Sequence, residues 1–248
     1  MSIVLPTKPI PSTTQDPKNL IIYGVPKVGK TSLLATLPDC LLVDLESGSD
    51  YCEALKVKIN SFAELKELCV AIKEANYPYR FIALDTVTAL EDMVRPLALA
   101  LYRKSPMGQN DTSVTDVTTL PHGSGYAFLR NAMEIAVDMV SKVTPNVIIV
   151  GHVKDKLLGS ADSADAGSVR DLDLTGKISR ILSAKSDAIG FVHRDENNNL
   201  CINFMNGNEV TAGARPEHLA NQDIIVAERK NDGTFVSHWE RIYPSLIK

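Results

Sequence analysis

The 248-residue sequence lacks most features that mark membrane, secreted or strongly DNA-binding proteins. It has no apolar run of about 18 residues, the length a membrane-spanning helix needs, and no basic–apolar signal pattern at its start. Its 30 acidic residues outnumber its 26 basic ones, so the net charge is −4 and no overall basic surface is available for nucleic acid. We therefore expect a soluble cytoplasmic protein without membrane contact. Any nucleic-acid contact must come from a local patch or from repeated weak sites in an oligomer.

Cysteine and tryptophan are also scarce in this sequence. The four cysteines form no C-x-x-C pair, and at least two of them lie in apolar runs typical of a protein core. We therefore expect reduced, buried thiols rather than a disulfide framework or a zinc site. The single tryptophan, Trp239, fits packing better than base stacking. The cysteines are Cys40, Cys52, Cys69 and Cys201.

What the sequence does contain is a phosphate-binding loop. Residues 24–31 spell G-x-x-x-x-G-K-[ST], the pattern whose backbone N–H groups cradle nucleotide phosphates. Residues 19–23 read as a short buried strand, and residues 31–37 read as a helix that stops before Pro38. This is the strand–loop–helix context that the motif requires. The predicted nucleotide-binding residues are Gly24, Val25, Pro26, Lys27, Val28, Gly29, Lys30, Thr31 and Ser32.

The residue types in this loop suit anion binding where a helix begins. Free N–H groups and the positive end of the helix dipole converge there, and Gly24 and Gly29 let the backbone approach without a Cβ in the way. We predict that Lys30 bridges the β- and γ-phosphates and that the Thr31 hydroxyl ligates Mg²⁺. For Lys27, three environments stay open: phosphate, a neighbouring subunit and solvent.

Polar residues at the ends of other predicted strands complete a hydrolytic site. Four apolar residues precede Asp85, which we predict to hold Mg²⁺. Glu46 lies just beyond the strand that ends at Asp44, and we predict Glu46 as the catalytic base with Asp44 as its partner. The alternative for Glu46 is a surface carboxylate. His152 follows the buried strand 146–150 and is predicted to sense the γ-phosphate, the alternative being a structural histidine.

Strands and helices alternate along most of the chain. Residues 1–18 carry four prolines and read as an extended or flexible arm, or as an arm that docks on a neighbouring subunit through residues 3–5. Residues 19–248 read as a single α/β domain with a mostly parallel twisted sheet, helices on both faces and C-terminal β-hairpins. Helices are predicted over residues 62–72, 87–101 with a kink at Pro96, 125–142 and 175–184.

The order of these motifs resembles that of RecA-type recombinases. The loop 24–31, the Val-Asp-Leu-Glu turn at Glu46, the strand to Asp85, the strand end at His152 and the Leu-Thr-Gly-Lys segment 174–177 follow one another as in that family. The pattern looks most like the phage-encoded RecA-like P-loop ATPases, AAA-domain proteins related to single-strand annealing recombinases. The resemblance covers about residues 19–205.

The resemblance implies an activity, cofactors and partners. It implies a RecA-like ATPase that uses ATP and Mg²⁺, is stimulated by DNA, and acts on single-stranded DNA in phage recombination by annealing or strand exchange. It further implies a homo-oligomer, either filament or ring, a single-strand DNA-binding protein as partner, and the host-cell cytoplasm as location. Glu46 matches the family's catalytic glutamate. His152 occupies the switch position, at which this family usually has a glutamine, so the sequence departs from the family pattern here.

The resemblance also implies two mobile, DNA-facing loops, at residues 102–123 and 153–173. Charge alone fits a solvated loop equally well, because aspartates balance the basic residues. Two further basic residues are candidates for contacting the ATP of an adjacent subunit, as an arginine finger does. The candidate DNA-binding residues are Arg103, Lys104, Lys154, Lys156 and Arg170, and the candidate inter-subunit residues are Lys177 and Arg180.

Other functional classes share the same core. A hexameric helicase or loader would unwind duplex DNA, whereas a P-loop small-molecule kinase or a nucleotide switch would not bind DNA. GTPases are disfavoured because the sequence has no N-K-x-D motif and no glycine three residues after Asp85. Remodelling ATPases with a helical lid are disfavoured because residues 187–243 read as strands and turns.

Overall fold

The structure is a computed structural model of the chain, and it describes residues 5, 7–9, 12, 14–111, 113–158, 167–230 and 232–247. The strands within these residues are β1 Asn19–Gly24, β2 Cys40–Asp44, β3 Lys56–Lys58, β4 Phe81–Asp85, β5 Asn146–Leu158, β6 Gly167–Leu172, β7 Ala188–Arg194, β8 Leu200–Asn203, β9 Gly213–Ala214, β10 Asp223–Arg229 and β11 Phe235–Ser237. The α-helices are α1 Lys30–Leu34, α2 Phe62–Glu74, α3 Val87–Met93, α4 Arg95–Lys104, α5 Tyr126–Ser141 and α6 Ile178–Lys185.

One sheet runs through the described part of the chain, in the order β11-β10-β8-β7-β1-β5-β4-β2-β3. The strands from β7 to β3 in this order are parallel, and β8, β10 and β11 continue the sheet with antiparallel pairing. Strand β6 pairs with β5, and β9 pairs with β7. The strand that precedes the phosphate loop, β1, therefore lies between β5 and β7, and β5 separates it from β4.

The register of the parallel strands aligns their carboxyl ends. Gly24 of β1 is level with His152 of β5, and Asp85 of β4 is level with Val150 of β5. Asp44 of β2 is in turn level with Asp85. The polar residues Asp44, Asp85 and His152 consequently lie along one edge of the parallel part of the sheet.

Side chains of the parallel strands alternate between two apolar layers. Ile21 and Tyr23 of β1 face the layer that contains helices α2 to α6, whereas Leu20 and Ile22 face the layer that contains α1 and the C-terminal segment 239–246. All four side chains are fully buried. A strand covered on both faces reads as a continuous apolar run, which explains this part of the sequence.

Trp239 closes the second layer from the C-terminal side. Its buried indole Nε1 donates to the carbonyl oxygen of Leu33 at 3.0 Å and to Thr36 Oγ1 at 3.2 Å. Its ring lies 6.0 Å from that of Tyr243. Trp239 is therefore a packing residue, as predicted, and it supports the end of the helix that follows the phosphate loop.

The predicted fold class is confirmed. The sheet is mostly parallel, helices cover both faces, and antiparallel strands follow at the C-terminal end. The four cysteines are free thiols, and all except Cys52 are buried. No helix among the described residues is long and apolar enough to cross a membrane.

The division into an N-terminal arm and one domain stays a prediction. Most of the segment 3–5, predicted to dock on a neighbouring subunit, lies outside the described residues. Nearer the sheet, the Asp16 carboxylate accepts hydrogen bonds from the Arg80 guanidinium at 3.4 Å and from the Ser245 hydroxyl. The end of the arm is thereby joined to both the start of β4 and the C-terminal segment.

Two helix predictions were wrong in detail. The continuous helix predicted over 87–101 is two helices, α3 and α4, with a break at Val94. Pro96 lies in the first turn of α4, where its missing N–H leaves no helical hydrogen bond unmade. The helix predicted at 175–184 begins three residues later, because the chain turns at Gly176 with φ +58.

The prediction of a mobile loop over residues 153–173 was wrong for most of the residues in this range that the structure describes. Strand β5 does not stop at Val150 but continues beyond the sheet, and β6 returns antiparallel beside it. Asp155 stands opposite Arg170, an opposite-charge pair that favours strand pairing. The Gly, Ser and Asp residues that suggested a loop lie mostly at 159–166, outside the described residues. We call the two strands the β5–β6 hairpin.

The other predicted DNA-facing loop is partly helical. Helix α4 continues into it as far as Lys104, and short 3₁₀ turns occupy Val117–Thr119 and Pro121–Gly123.

Strand β3 was not predicted, because it has only three residues and two of them are exposed lysines at the sheet edge. Lysines there discourage pairing with another chain.

Candidate nucleotide site

The phosphate loop packs closely on the end of the sheet. Gly24 ends β1, and a Cβ at this position would lie 2.5 Å from the carbonyl oxygen of Val192 in β7. Gly29 has φ +120, and Lys27 has φ +64, so the chain passes twice through the left-handed region before α1 begins. Glycine is therefore required at Gly24 for space and at Gly29 for backbone conformation.

Lys30 folds back over this loop. Its side chain is buried, and its Nζ donates to the carbonyl oxygens of Gly24 at 2.9 Å and Val25 at 3.0 Å. Burial lowers the pKa of Lys30, while the carboxylates of Asp85 and Glu46 act against that shift. An ammonium group has three N–H donors, so one remains for a phosphate oxygen.

Thr31 and Asp85 provide a pair of oxygen ligands. Thr31 Oγ1 donates to Asp85 Oδ2 at 2.6 Å. Burial raises the pKa of Asp85, and the Thr31 hydrogen bond and the Lys30 charge only partly oppose that rise. Hydroxyl and carboxylate oxygens are the ligands that Mg²⁺ takes beside substrate phosphates, so the donor set fits this ion. When bound, Mg²⁺ supplies positive charge that neutralises the phosphate oxygens.

Glu46 is held by two partners at neighbouring strand ends. The Thr86 hydroxyl donates to Glu46 Oε1, and His152 Nε2 lies 3.2 Å from Glu46 Oε2. Because an ionised carboxylate only accepts, His152 carries a proton on Nε2 in this contact. The buried Nδ1 of His152 has no hydrogen-bond partner among the described residues. We call Glu46, Thr86 and His152 the Glu46 bridge, since they join the ends of β2 and β4 to the middle of β5.

Asp44 fixes the turn that carries Glu46. Its Oδ1 accepts from the backbone N–H of Glu46 at 3.1 Å and of Gly48 at 3.2 Å. Its Oδ2 accepts from the Ser49 N–H at 2.9 Å and from the Ser49 hydroxyl at 2.5 Å. Burial raises the pKa of Asp44, but these four hydrogen bonds outweigh it and the net shift is downward. Asp44 thus positions the backbone of Glu46 and does not point alongside its carboxylate.

Comparison with known proteins identifies the family. Residues 16–216 match the AAA domain family AAA_24. The chain belongs to this AAA domain family. It is an AAA-type P-loop ATPase, and the residues that the fold gathers at the sheet edge suit that activity.

The other comparisons add little beyond this family. No curated protein matches the chain in sequence. Among solved structures, a KaiC-like protein from the hyperthermophilic archaeon Pyrococcus horikoshii OT3 aligns with a TM-score of 0.46 and 10% sequence identity. The alignment covers 89% of this AAA domain chain and 89% of that protein.

In this AAA domain, helix α3 connects the Glu46 bridge to the base of the β5–β6 hairpin. Thr86 caps the helix N-terminus, its Oγ1 accepting from Ala89 N. Two residues further, Thr88 Oγ1 donates to the carbonyl oxygen of Asp173 at 3.1 Å. The buried Glu91 then accepts the backbone N–H of Thr175 at 2.9 Å. A single helix therefore contacts both the bridge and the chain that leaves the hairpin.

Strand β5 gives a second connection between the same regions. It carries His152 and then continues as the first arm of the hairpin. Lys154, two residues beyond His152, donates to the carbonyl oxygen of Leu174 and lies 3.5 Å from Asp173 Oδ1. Lys154 is thus used within the fold at the base of the hairpin.

The other predicted DNA-binding residues point outward. The side chain of Lys156 is 61% exposed, with its Nζ 4.0 Å from Asp171 Oδ2. Arg170 is exposed, and its guanidinium lies over the Phe191 ring, 5.5 Å from the ring centre. Four further predicted residues are exposed at helix ends, and their roles stay predictions. These are Arg103 and Lys104 at the end of α4, and Lys177 and Arg180 at the start of α6.

Two residues beside the site were not predicted. Thr86 could have been found, because it follows Asp85 and a threonine before an apolar helical pattern is a helix-capping signal. Arg194 carries no such signal. Its Nη2 would lie 3.2 Å from a Cβ built on Gly29, so its guanidinium packs against the phosphate loop. That contact depends on β7 pairing with β1, which local sequence does not reveal.

We expect Asp44→Asn to destabilise the protein by about 2 kcal/mol or more at pH 7, because the amide NH₂ cannot accept the two Ser49 hydrogen bonds. The pKa of Asp44 is lower in the folded state, so its stabilisation is complete above the ordinary value of about 3.9 and disappears as pH falls through the folded value. The difference between wild type and variant should therefore be full at pH 7 and shrink below about pH 4. Urea unfolding at pH 7 and at a pH below 4 measures this difference in unfolding free energy.

Asp138→Asn is the matched control, because Asp138 is an exposed residue of α5. It should leave the unfolding free energy within about 0.5 kcal/mol of wild type. An Asp44→Asn protein as stable as wild type at pH 7, or equally destabilised at both pH values, would contradict the role assigned to the Asp44 carboxylate.

Proposed function

We propose that this AAA domain hydrolyses Mg·ATP to control how the β5–β6 hairpin binds single-stranded DNA, in a phage recombination reaction of the annealing or strand-exchange type. The supporting observation is the continuity of β5, which carries His152 at the Glu46 bridge and then forms the first arm of the hairpin. A change at the γ-phosphate would therefore reach the hairpin without an intervening flexible segment.

In the proposed hydrolysis, water attacks the γ-phosphorus and Glu46 accepts its proton. Glu46 suits this role because its side chain is 37% exposed and lies just past the end of β2. Lys30 donates to phosphate oxygens, while Thr31 and Asp85 hold the metal. The Glu46 carboxylate has to leave at least one partner of the bridge before it can accept a proton from water.

His152 couples this step to the hairpin in our proposal. When Glu46 turns to the attacking water, the Nε2–H of His152 loses its acceptor. The γ-phosphate then offers oxygen acceptors at the same edge of the sheet. His152 would exchange Glu46 for phosphate, and β5 would carry the shift into the hairpin.

Lys156 and Arg170 are the hairpin residues that we propose to contact DNA phosphates. Both are exposed, but Asp171 lies 4.0 Å from Lys156 and Asp155 stands opposite Arg170, so DNA has to compete with acidic neighbours. A single chain should consequently bind weakly and with strong salt dependence. Several chains bound to one strand would add their weak contacts, because linked sites bind at high effective concentration.

That need for several chains supports a homo-oligomer, either filament or ring. Lys177 and Arg180 are exposed where α6 begins, directly after the hairpin, and we propose that they reach the ATP of an adjacent subunit. A single-strand DNA-binding protein would be the partner that presents the strand.

For the hydrolytic site, we expect Glu46→Gln to lower kcat for ATP by about 10²–10⁴-fold, because glutamine cannot accept the proton of water. Binding of a fluorescent ATP analogue should remain. Phosphate release under single-turnover conditions measures the chemical step. Glu67→Gln, at an exposed position of α2, should leave kcat unchanged. An unchanged kcat in Glu46→Gln would show that another group is the base.

For DNA binding, fluorescence anisotropy of a labelled single-stranded oligonucleotide is compared with and without a slowly hydrolysed ATP analogue. We expect binding that depends on the analogue, and a loss of about tenfold or more in the double variant Lys156→Ala/Arg170→Ala. Loss of two phosphate contacts should reduce the slope of log K against log salt by about 1.4. Lys66→Ala, an exposed lysine on α2, should bind like wild type.

Absence of binding at low salt, with and without nucleotide, would remove DNA from the proposal while leaving the ATPase intact. Assays with complementary and duplex oligonucleotides then separate the remaining classes. Annealing or strand exchange supports the proposal, and ATP-driven unwinding favours a helicase-type motor. ATP turnover stimulated by a metabolite rather than by DNA favours a small-molecule kinase.

A further inference from the structure

Three side chains with metal-binding chemistry meet where β7 lies beside the antiparallel strands β8 and β10. His193 of β7, Cys201 of β8 and Asp223 of β10 each offer one donor atom, and these atoms lie within 4.8 Å of one another. His193 and Cys201 are directly opposite across the β7–β8 pair, and β10 adjoins β8 on its other side. We call these three residues the His–Cys–Asp cluster.

The hydrogen bonds of His193 orient its ring for a cation. Its Nδ1 lies 3.3 Å from the carbonyl oxygen of Arg194, so the tautomer with its proton on Nδ1 donates a hydrogen bond there. The lone pair of Nε2 then faces Asp223, whose Oδ1 and Oδ2 are both 3.0 Å away. In this tautomer Nε2 and the carboxylate are both acceptors, and a metal ion between them satisfies both; in the other tautomer Nε2–H donates to Asp223. Metal-binding histidines commonly hold their other ring N–H on a backbone carbonyl in this way.

Cys201 adds a ligand that distinguishes between metals. Its thiol is buried, and its nearest hydrogen-bond partner is the carbonyl oxygen of Asn199 at 3.8 Å, a long contact. A sulfur, an imidazole nitrogen and a carboxylate oxygen together match Zn²⁺ and similar borderline cations, whereas Mg²⁺ prefers oxygen alone. The side chains of His193 and Asp223 are 29% and 38% exposed, so an ion can enter from solvent.

We propose that the His–Cys–Asp cluster binds one Zn²⁺, or a similar divalent cation, through three protein ligands and one open position toward solvent. The proposal does not depend on the DNA-binding function proposed above. It revises the expectation of no zinc site, which followed from cysteine spacing alone. These ligands are far apart in sequence and come together only because three strands pair.

The His–Cys–Asp cluster lies beside the end of β7 that contacts the phosphate loop. Val192, next to His193, packs its carbonyl oxygen against Gly24, and Arg194 packs against Gly29. A metal that joins β7, β8 and β10 would therefore hold the strand end on which the phosphate loop rests. Because the three ligands converge only in the folded chain, binding should also stabilise the fold.

The test is titration of chelator-treated full-length protein with Co²⁺, followed by displacement with Zn²⁺. Thiolate ligation gives a near-ultraviolet charge-transfer band, and the visible bands report four-coordinate geometry. We expect one Co²⁺ per chain, displaced by one Zn²⁺, and a rise in unfolding temperature with Zn²⁺. Cys201→Ser should lose the charge-transfer band, whereas Cys52→Ser, at the partly exposed cysteine outside the cluster, should keep it.

Asp223→Asn keeps the thiol and alters a partly exposed side chain, so it tests the same site where the serine variant does not fold. It should retain the thiolate band but bind Co²⁺ about tenfold or more weakly. Lys30→Ala should bind the metal like wild type, which separates this site from the nucleotide site. Absence of the thiolate band in wild type, or its persistence in Cys201→Ser, would overturn the proposal. His193 and Asp223 would then form an ion pair alone.

Discussion

The position of strand β5 between β1 and β4 is the constraint on which the rest of the site depends. The strand brings His152 level with Gly24 at the start of the phosphate loop, and it brings Val150 level with Asp85. Parallel pairing on both sides leaves β5 buried, so its first half cannot shift register without moving apolar residues out of the core. The second half leaves the sheet as one arm of a hairpin. Strand β5 thus belongs both to the candidate nucleotide site and to the β5–β6 hairpin.

In the proposed function, the Glu46 bridge is the switch that the position of β5 makes possible. Glu46 accepts from Thr86 and faces His152 Nε2 at 3.2 Å. Hydrogen bonds to a charged group contribute about 1.5–3 kcal/mol each, and couplings between sites in proteins are typically about 1–3 kcal/mol. A difference of one such hydrogen bond between the nucleotide-bound and nucleotide-free states is therefore of the size that changes a second site's affinity by about 5- to 150-fold. Asp44 keeps the turn fixed, so the side chain of Glu46 can move while its backbone stays in place.

Local pattern was sufficient to predict the fold class and most of the candidate site. The phosphate loop was found from its G-x-x-x-x-G-K-[ST] motif. Asp85 and His152 were found because each follows a run of apolar residues, and the carboxyl ends of parallel strands meet at one edge. Their catalytic and binding roles remain predictions. Thr86 was missed, although its position between Asp85 and an apolar helical pattern carries a capping signal.

Features that depend on pairing between distant segments could not be found in this way. The composition of residues 153–173 predicts a loop because residues 159–166 are rich in Gly, Ser and Asp, while the pairing of Asp155 with Arg170 is visible only in the sheet. The His–Cys–Asp cluster draws its ligands from three strands, so no spacing rule detects it. Arg194 likewise reaches the phosphate loop only because β7 pairs with β1.

In the proposed function, the hairpin senses nucleotide at the phosphate loop through His152. Amide hydrogen exchange, with and without Mg²⁺ and a slowly hydrolysed ATP analogue, tests it most directly in wild type and His152→Ala. We expect the analogue to change exchange at residues 24–31 in both proteins, but at 153–158 and 167–172 in wild type alone. Hairpin exchange that ignores nucleotide in wild type, or that responds equally in His152→Ala, would contradict it.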